Sequence, residues 1–252
     1  MVRPTWTTGP AALTLVRHAH SMGNRAGEQA REVGAEELDL RLPDVDVALS
    51  ETGRAQAHAV RRWLAQQDGP DLPTVVLTSP YLRARATAES AVAGLGLRVV
   101  HDDRLRERDL GLLNGLTEVG IRARHPEEVE RRSRLGDFYY QPPSGESWSD
   151  VALRVRSLLQ DLRFGYDDER VWLFTHQAVV MAFRYVLEEL SEERLVEIDR
   201  EEPVPNASLT RYRRSGEVFE LDRFADTRAV DQTARVADEA PGVGRPPHRS
   251  VE

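Results

Sequence analysis

The chain has 252 residues, 40% hydrophobic and 30% charged, a balance that suits one or two globular domains with a buried core and excludes a largely disordered chain. The formal net charge of −8 argues against a general nucleic-acid binder, and the absence of cysteine excludes disulfides, thiol nucleophiles and cysteine-ligated metals. All 34 basic residues are arginine, which rules out a P-loop lysine and a Schiff-base lysine. No apolar run is long enough to span a bilayer, and residues 1–13 lack the uninterrupted apolar segment of a secretory signal. A cytoplasmic protein without a membrane partner is therefore expected.

In chain order, residues 12–17 (ALTLVR) read as a buried strand with a polar end. Residues 25–48 are polar, with Pro43 and several acids, and predict a long excursion or lid. Ser50 caps a helix that runs from SETGRAQAHAV to Gln67. PTVVLTSP, residues 73–80, is a second strand ending at a proline that suits the first turn of the helix YLRARATAESAVAGLG, which ends near Gly94. LRVV, 97–100, is a short third strand.

After a charged loop, Trp148, Val151, Val155, Leu158, Leu159 and Leu162 recur at three- and four-residue spacing and predict an amphipathic helix over 146–163. RVWLFTH, 170–176, is a fourth strand, followed by the apolar helix QAVVMAFRYVLEEL. Residues 208–214 and 217–223 predict a hairpin turning at Ser215-Gly216. From residue 225 on, prolines and glycines without apolar periodicity predict a mobile tail, so one folded domain is assigned to 1–224 and a tail to 225–252. Strands alternating with helices indicate an α/β layered fold.

That pattern gathers the chemistry. Arg17, His18 and His20 end the first strand, Arg83 lies in the first turn after the second, and His176 closes the fourth. Ligands of open α/β sheets bind outside the carboxyl ends of strands, where loops and helix N-termini converge. Arginines, histidines and helix-start amides at one such edge suit a dianion such as a phosphoryl group.

VRHAHSMGN, which carries these residues, resembles the RHG signature of the histidine phosphatase superfamily, the phosphoglycerate-mutase-like enzymes. LSETGRAQA (49–57), TSPYLRARATAE (78–89), LRERDLGLLNGLT (105–117), PSGESWSDV (143–151) and FTHQAVV (174–180) resemble its later blocks in the family's order, so the likeness spans roughly residues 12–214. It implies a three-layer α/β/α sandwich around a mostly parallel sheet. It also implies that His18 is a nucleophile forming a phosphohistidine, with Glu107 as general acid and His176 beside it. Arg17, Asn24, Arg83 and Gln177 are the implied phosphate ligands. The expected partner is a small phosphorylated substrate, with no cofactor and no metal; nothing specifies an oligomeric state. The blocks ERDLG, SGES and HQAVV look more like phosphatases than mutases.

The chain departs from the family at Ala19, where glycine is usual, at His20, where Glu or Gln is common, and at Asn114, where Glu is common. Asp109 lies two residues from Glu107, and spacing alone does not choose the acid. Glu146 fits either the start of its helix or a substrate contact. The rival readings are a phosphoglycerate mutase, a phospho-ligand binding module and a metal-dependent amidohydrolase. The last rests on His18-x-His20 and lacks the lysine such sites commonly use.

Overall fold

The structure is a computed structural model and describes residues 5–231. Six strands form one sheet: β1 (Ala12–Arg17), β2 (Val75–Thr78), β3 (Val99–His101), β4 (Arg170–Thr175), β5 (Leu209–Ser215) and β6 (Val218–Asp226), in the order β3-β2-β4-β1-β5-β6. The first four strands in that order run parallel, and β5 and β6 add an antiparallel hairpin at the edge. β1 and β4 are central, and both are covered on their two faces. Their near-continuous apolar runs, with Leu13, Leu15, Val16, Val171, Leu173 and Phe174 fully buried, answer that position.

One face is covered by α6 (Trp148–Gly165), α7 (Gln177–Leu187) and α8 (Glu192–Glu201), which pack with Leu13, Leu15, Leu77 and Leu173. α2 (Glu51–Leu64) and α3 (Leu82–Ala91) cover the other with Val16, Val76, Trp172 and Phe174. All six residues of the predicted α6 stripe are buried. The helix begins two residues later than predicted, at a capping box between Ser147 and Asp150. The sheet flanked by helices is the expected sandwich.

Several helices among the described residues do not follow from the sequence reading. Residues 25–48, read as one excursion, begin inside α1 (Met22–Val33), which is set by a Ser21–Asn24 capping box and closed at Gly34 in the left-handed conformation. α4 (Glu118–Arg124), α5 (Pro126–Leu135) and α8 occupy stretches left unassigned. The boundary at 224 falls inside β6, and Ala229 is buried against the α2–α3 side of the sheet, so residues 225–231 belong to the fold. The rest of the tail assigned from sequence lies outside the described residues. Among the described residues, no helix is long and apolar enough to cross a membrane.

Strand register positions the site. Arg17 pairs with Thr175 across β1 and β4, and Thr78 pairs with Phe174 across β2 and β4. The amides of His18 and Ser79 continue those ladders onto the carbonyls of Thr175 and Phe174, at 2.8 and 2.9 Å. His18, Ser79 and His176 therefore leave the sheet side by side at its carboxyl edge.

Candidate active site

His18 and His176 face one another with ring centroids 5.1 Å apart, and they are 3% and 0% exposed. His18 Nδ1 lies 2.8 Å from the carbonyl oxygen of its neighbour Ala19. A carbonyl only accepts, so Nδ1 carries the hydrogen and the Nε2 lone pair is left free. Burial, reinforced by the Arg83 and Arg17 guanidinium groups, holds His18 well below the ordinary histidine range. Ala19 is fully buried, its amide donating to Thr87 Oγ1 at 3.0 Å. The loop after β1 also meets α2 so closely that a Cβ on Gly53 would lie 1.8 Å from the His20 carbonyl oxygen. This backbone contact accounts for the glycine in LSETG.

Arg17 donates to the carbonyl of Val204, and its buried Nε has no hydrogen-bond partner among the described residues. His176 Nε2 lies 2.8 Å from Ser79 Oγ, while its buried Nδ1 is likewise without a partner. Unpaired polar atoms are rare in protein interiors. Arg17 and His176, both close enough to His18 to interact with it, thus each keep an unpaired polar atom. Burial followed by the Arg83 charge pushes the His176 pKa well down as well.

Arg83, 5% exposed, gives the least expected contact. Its Nη1 donates to the backbone oxygen and Oδ1 of Asp44, at 2.7 and 2.9 Å, and its Nη2 donates to Oδ2 at 3.1 Å. These bonds use the end of the guanidinium fork. They leave the Nε–H and the outer Nη2–H, a parallel pair of donors matched to a phosphate or carboxylate edge. Asp44 comes from the segment between α1 and α2 and was not singled out in the sequence.

Glu107 lines the same cleft. Its Oε1 accepts from the amides of Arg108 at 2.9 Å and Ala178, in the first turn of α7, at 3.3 Å. Burial raises its pKa above the usual carboxylate value and outweighs those amides and the nearby arginines, which act in the opposite direction. Asp109, two residues on, is exposed, accepts from the Gly111 amide at 2.8 Å and does not line the cleft.

Glu146 takes neither of its two expected roles. Its carboxylate receives Arg106 Nη2 at 2.5 Å, Arg154 Nε and Nη2 at 3.1 Å each, and the Asp109 amide at 3.1 Å, pinning the acid loop to α6. Gly111, at φ +54°, lies where a Cβ would be 2.0 Å from the Pro143 carbonyl oxygen, so the acid loop and the PSGES loop meet backbone to backbone. Thr175 Oγ1 adds a tie to the Leu105 carbonyl at 2.7 Å.

Two other sequence expectations are corrected. Gln177, expected to bind phosphate, turns to α8, where its Nε2 donates to Asp199 Oδ1 at 3.0 Å, and it does not line the cleft. His20, grouped from sequence with Arg17 and His18 at the end of the first strand, does not line the cleft: its ring bridges Ser50 Oγ at 2.7 Å and Glu28 Oε1 at 3.2 Å. It therefore does not converge with His18 and His176, as a shared metal site would require. Among the described residues, no cluster of three or more His, Asp or Glu side chains is arranged to hold a metal ion.

Asn24 does line the cleft, but its Oδ1 is occupied by the Ser21 amide and hydroxyl. Asn206, absent from the sequence expectations, donates to the His18 carbonyl at 2.9 Å and to Asn24 Oδ1 at 3.3 Å, locking the loop that carries the nucleophile candidate. The cleft has a volume of about 370 Å³ and holds Arg17, His18, Asn24, Arg83, Glu107 and Arg108 among its lining. Of the segment 25–48, expected as an excursion or lid, Leu38, Leu40, Leu42, Pro43 and Asp44 line the cleft.

Comparison with known proteins identifies the family. The bifunctional protein Rv2228c of Mycobacterium tuberculosis is 35% identical over 176 residues, which are 69% of this chain and 44% of that protein. The 6-phosphofructo-2-kinase/fructose-2,6-bisphosphatase of Gallus gallus is 31% identical over 185 residues, 73% of this chain and 34% of that protein. The chain thus spans less than half the length of these curated relatives. Among solved structures, mycobacterial glucosyl-3-phosphoglycerate phosphatase Rv2419c in complex with VO3 superposes with a TM-score of 0.67 at 29% identity, over 86% of this chain and 99% of that one. Bacillus stearothermophilus YhfR, at 24% identity and a TM-score of 0.68 over 86% and 98% of the two chains, shares the fold. The profile of the histidine phosphatase superfamily (branch 1) matches residues 13–227, and the chain belongs to that family.

Proposed function

We propose that the protein is a phosphomonoester hydrolase that works through a phosphohistidine at His18. The observation that carries this reading is the pairing of a buried, neutral imidazole, its Nε2 free, with a carboxyl group that burial keeps prone to protonation, in one cleft floored by Arg17 and Arg83. A mutase or hydrolase of this family needs both groups; a module that only held phosphate would need the arginines alone. The neighbouring structure named as a phosphatase supports the hydrolytic choice.

The steps follow from these groups. The phosphoryl oxygens take the free Nε–Nη2 edge of Arg83, with Arg17 Nε and His176 Nδ1 as further donors, so charge spread on the equatorial oxygens meets fixed donors. His18 Nε2 attacks phosphorus as the bond to the leaving oxygen breaks, and Glu107 transfers its proton to that oxygen. Both amide bonds to Glu107 fall on Oε1, which leaves Oε2 to carry the proton. The phosphorylated ring keeps its Nδ1–H on the Ala19 carbonyl, which stabilises the positive charge the ring acquires. Water then attacks phosphorus, its proton passes to the Glu107 carboxylate, and His18 departs neutral with inorganic phosphate.

Trapping tests this. Enzyme mixed with a phosphate-labelled substrate and quenched in base should retain label, and an acid quench should release it, because phosphohistidine is acid-labile. His18→Ala should fold, retain no label and turn over nothing. Near-wild-type turnover by that variant would end the covalent mechanism.

A further inference from the structure

The floor of the cleft is cationic, but its wall is not. Leu38, Leu40 and Leu42, from the segment between α1 and α2, and Leu110, from the loop after Glu107, line the space beyond the phosphoryl site. Leu42 is 58% exposed and Leu110 38%. The wall is built, not incidental: the Leu38 amide donates to the Gly115 carbonyl at 2.9 Å, and Glu37 pairs with Leu116 in an isolated bridge. Leu40 packs over the start of α1 near Gly23.

Of the three arginines in the lining, two are taken up at the proposed phosphoryl site and the third is held in place by backbone carbonyls. Arg17 and Arg83 are committed as described. Arg108 donates its Nε to the Glu146 carbonyl at 2.8 Å and its Nη2 to the Tyr140 carbonyl at 3.2 Å, with its guanidinium over the Trp148 ring. The chain has no lysine to add. A second anionic group on a substrate would lie against leucines and the Asp44 carboxylate unless it reached Arg108, whose Nη1 those carbonyl bonds leave unused, and burying it unpaired is costly. An apolar leaving group would instead cover leucine surface that water otherwise wets.

Resting on the hydrolase reading above, we infer that the preferred substrates are phosphomonoesters of uncharged, largely apolar alcohols. The leaving group is held by the wall of Leu38, Leu40, Leu42 and Leu110, and Asp44 disfavours a second anion.

The test is kcat/KM over ethyl, n-butyl and n-hexyl phosphate. Each releases a primary alkoxide, so the chemistry stays constant while the buried chain grows. A fully buried methylene is worth about fourfold, so a rise of about two- to fourfold per methylene is expected in this open cleft. Glycerol 3-phosphate should exceed 3-phosphoglycerate by on the order of tenfold, about 1.4 kcal/mol, and Asp44→Asn should narrow that gap. The double variant Leu40→Ser/Leu110→Ser should flatten the alkyl slope and leave ethyl phosphate the least affected of the series.

A flat or falling slope in the wild type, or a preference for 3-phosphoglycerate, overturns this substrate class while leaving hydrolysis intact. An unchanged slope in the double variant overturns the leucine wall. Failure to release phosphate from any ester, p-nitrophenyl phosphate included, overturns the hydrolase reading and this inference with it.

Discussion

Glu107→Gln separates the chemistry of the proposed acid from its structural work. Glutamine retains an Oε1 that can accept from the Arg108 and Ala178 amides, now at 2.9 and 3.3 Å, so the acid loop and the start of α7 keep their geometry. What disappears is the transferable proton. A positioned general acid contributes about 10² to 10⁴ to rate. Burial places Glu107 above the usual carboxylate range, nearer to working pH, which argues for a loss on the order of 10³, or about 4 kcal/mol of barrier, with an alkyl phosphate. p-Nitrophenolate leaves without protonation, so kcat/KM for its ester, which reports steps only through the first irreversible one, should fall by less than about tenfold. The same residue is the proposed base for the second half-reaction, so the variant should release a burst of p-nitrophenol stoichiometric with enzyme and then slow. Asp109→Asn, an exposed change whose Oδ1 can still accept from Gly111, should stay within about threefold on both substrates. Steady-state kinetics on n-butyl and p-nitrophenyl phosphate with a rapid-quench time course reads all of this. Equal losses on the two esters would refute proton donation by Glu107, and a selective loss in Asp109→Asn would move the acid to that residue.

Arg83→Lys keeps a charge but loses the planar fork that grips Asp44 and presents Nε and Nη2, so kcat/KM should drop on the order of 10² or more. Arg85→Lys, whose nearest charge is Glu89 one helical turn away at 3.9 Å, is the control and should be near neutral; equal effects would mean the phosphate site lies elsewhere. The pH profile of kcat/KM should be bell-shaped. Its acid limb belongs to His18, which must be neutral to attack and whose pKa is depressed, so the loss on acidification begins below the ordinary histidine value of 6.5. Its alkaline limb belongs to Glu107, which must be protonated and whose pKa burial raises, so the loss on raising the pH sets in above the ordinary carboxylate range. In Glu107→Gln the alkaline limb should vanish, and its persistence would assign it to another group.

The parts of the fold legible in the sequence were those that bury a continuous or periodic apolar surface. β1, β4, α6 and α7 announce themselves because nearly every apolar residue in them reaches the core. α1 buries only two alanines, α8 only Leu195 and Ile198, and the sole buried residue of α5 is Glu128, so a search for apolar periodicity passes over them. Their signals were at the ends: a capping box at Ser21, a Thr117 cap, Pro126 in a first turn and a Ser191 cap before two acids. The site divides in the same way. Arg17, His18, Arg83 and His176 were placeable because strand ends determine them. Gln177 and His20 were misdirected because adjacency in sequence to a site residue says nothing about a side chain's heading once the strand has ended and a helix or loop has begun.

Asp44, Ser79, Asn206 and Arg108 escaped because each acts through a partner supplied by another part of the fold. The Asp44–Arg83 pair has a further physical reason to exist. A guanidinium buried to bind a dianion is costly to leave alone, because a buried charge without a counter-charge destabilises the fold by several kcal/mol. Asp44, about a third exposed at 36%, supplies that counter-charge through the end of the fork while keeping much of its own hydration. It leaves the side edge of Arg83 open for the proposed phosphoryl group. The arginine is thereby held rigid before substrate arrives, and orientation that would otherwise have to be gained at the transition state is already present in the folded protein. Because that benefit comes from a carboxylate at the cleft's rim, it carries a bias against a second anion at the same place, and the device that stabilises the site also narrows what can enter it.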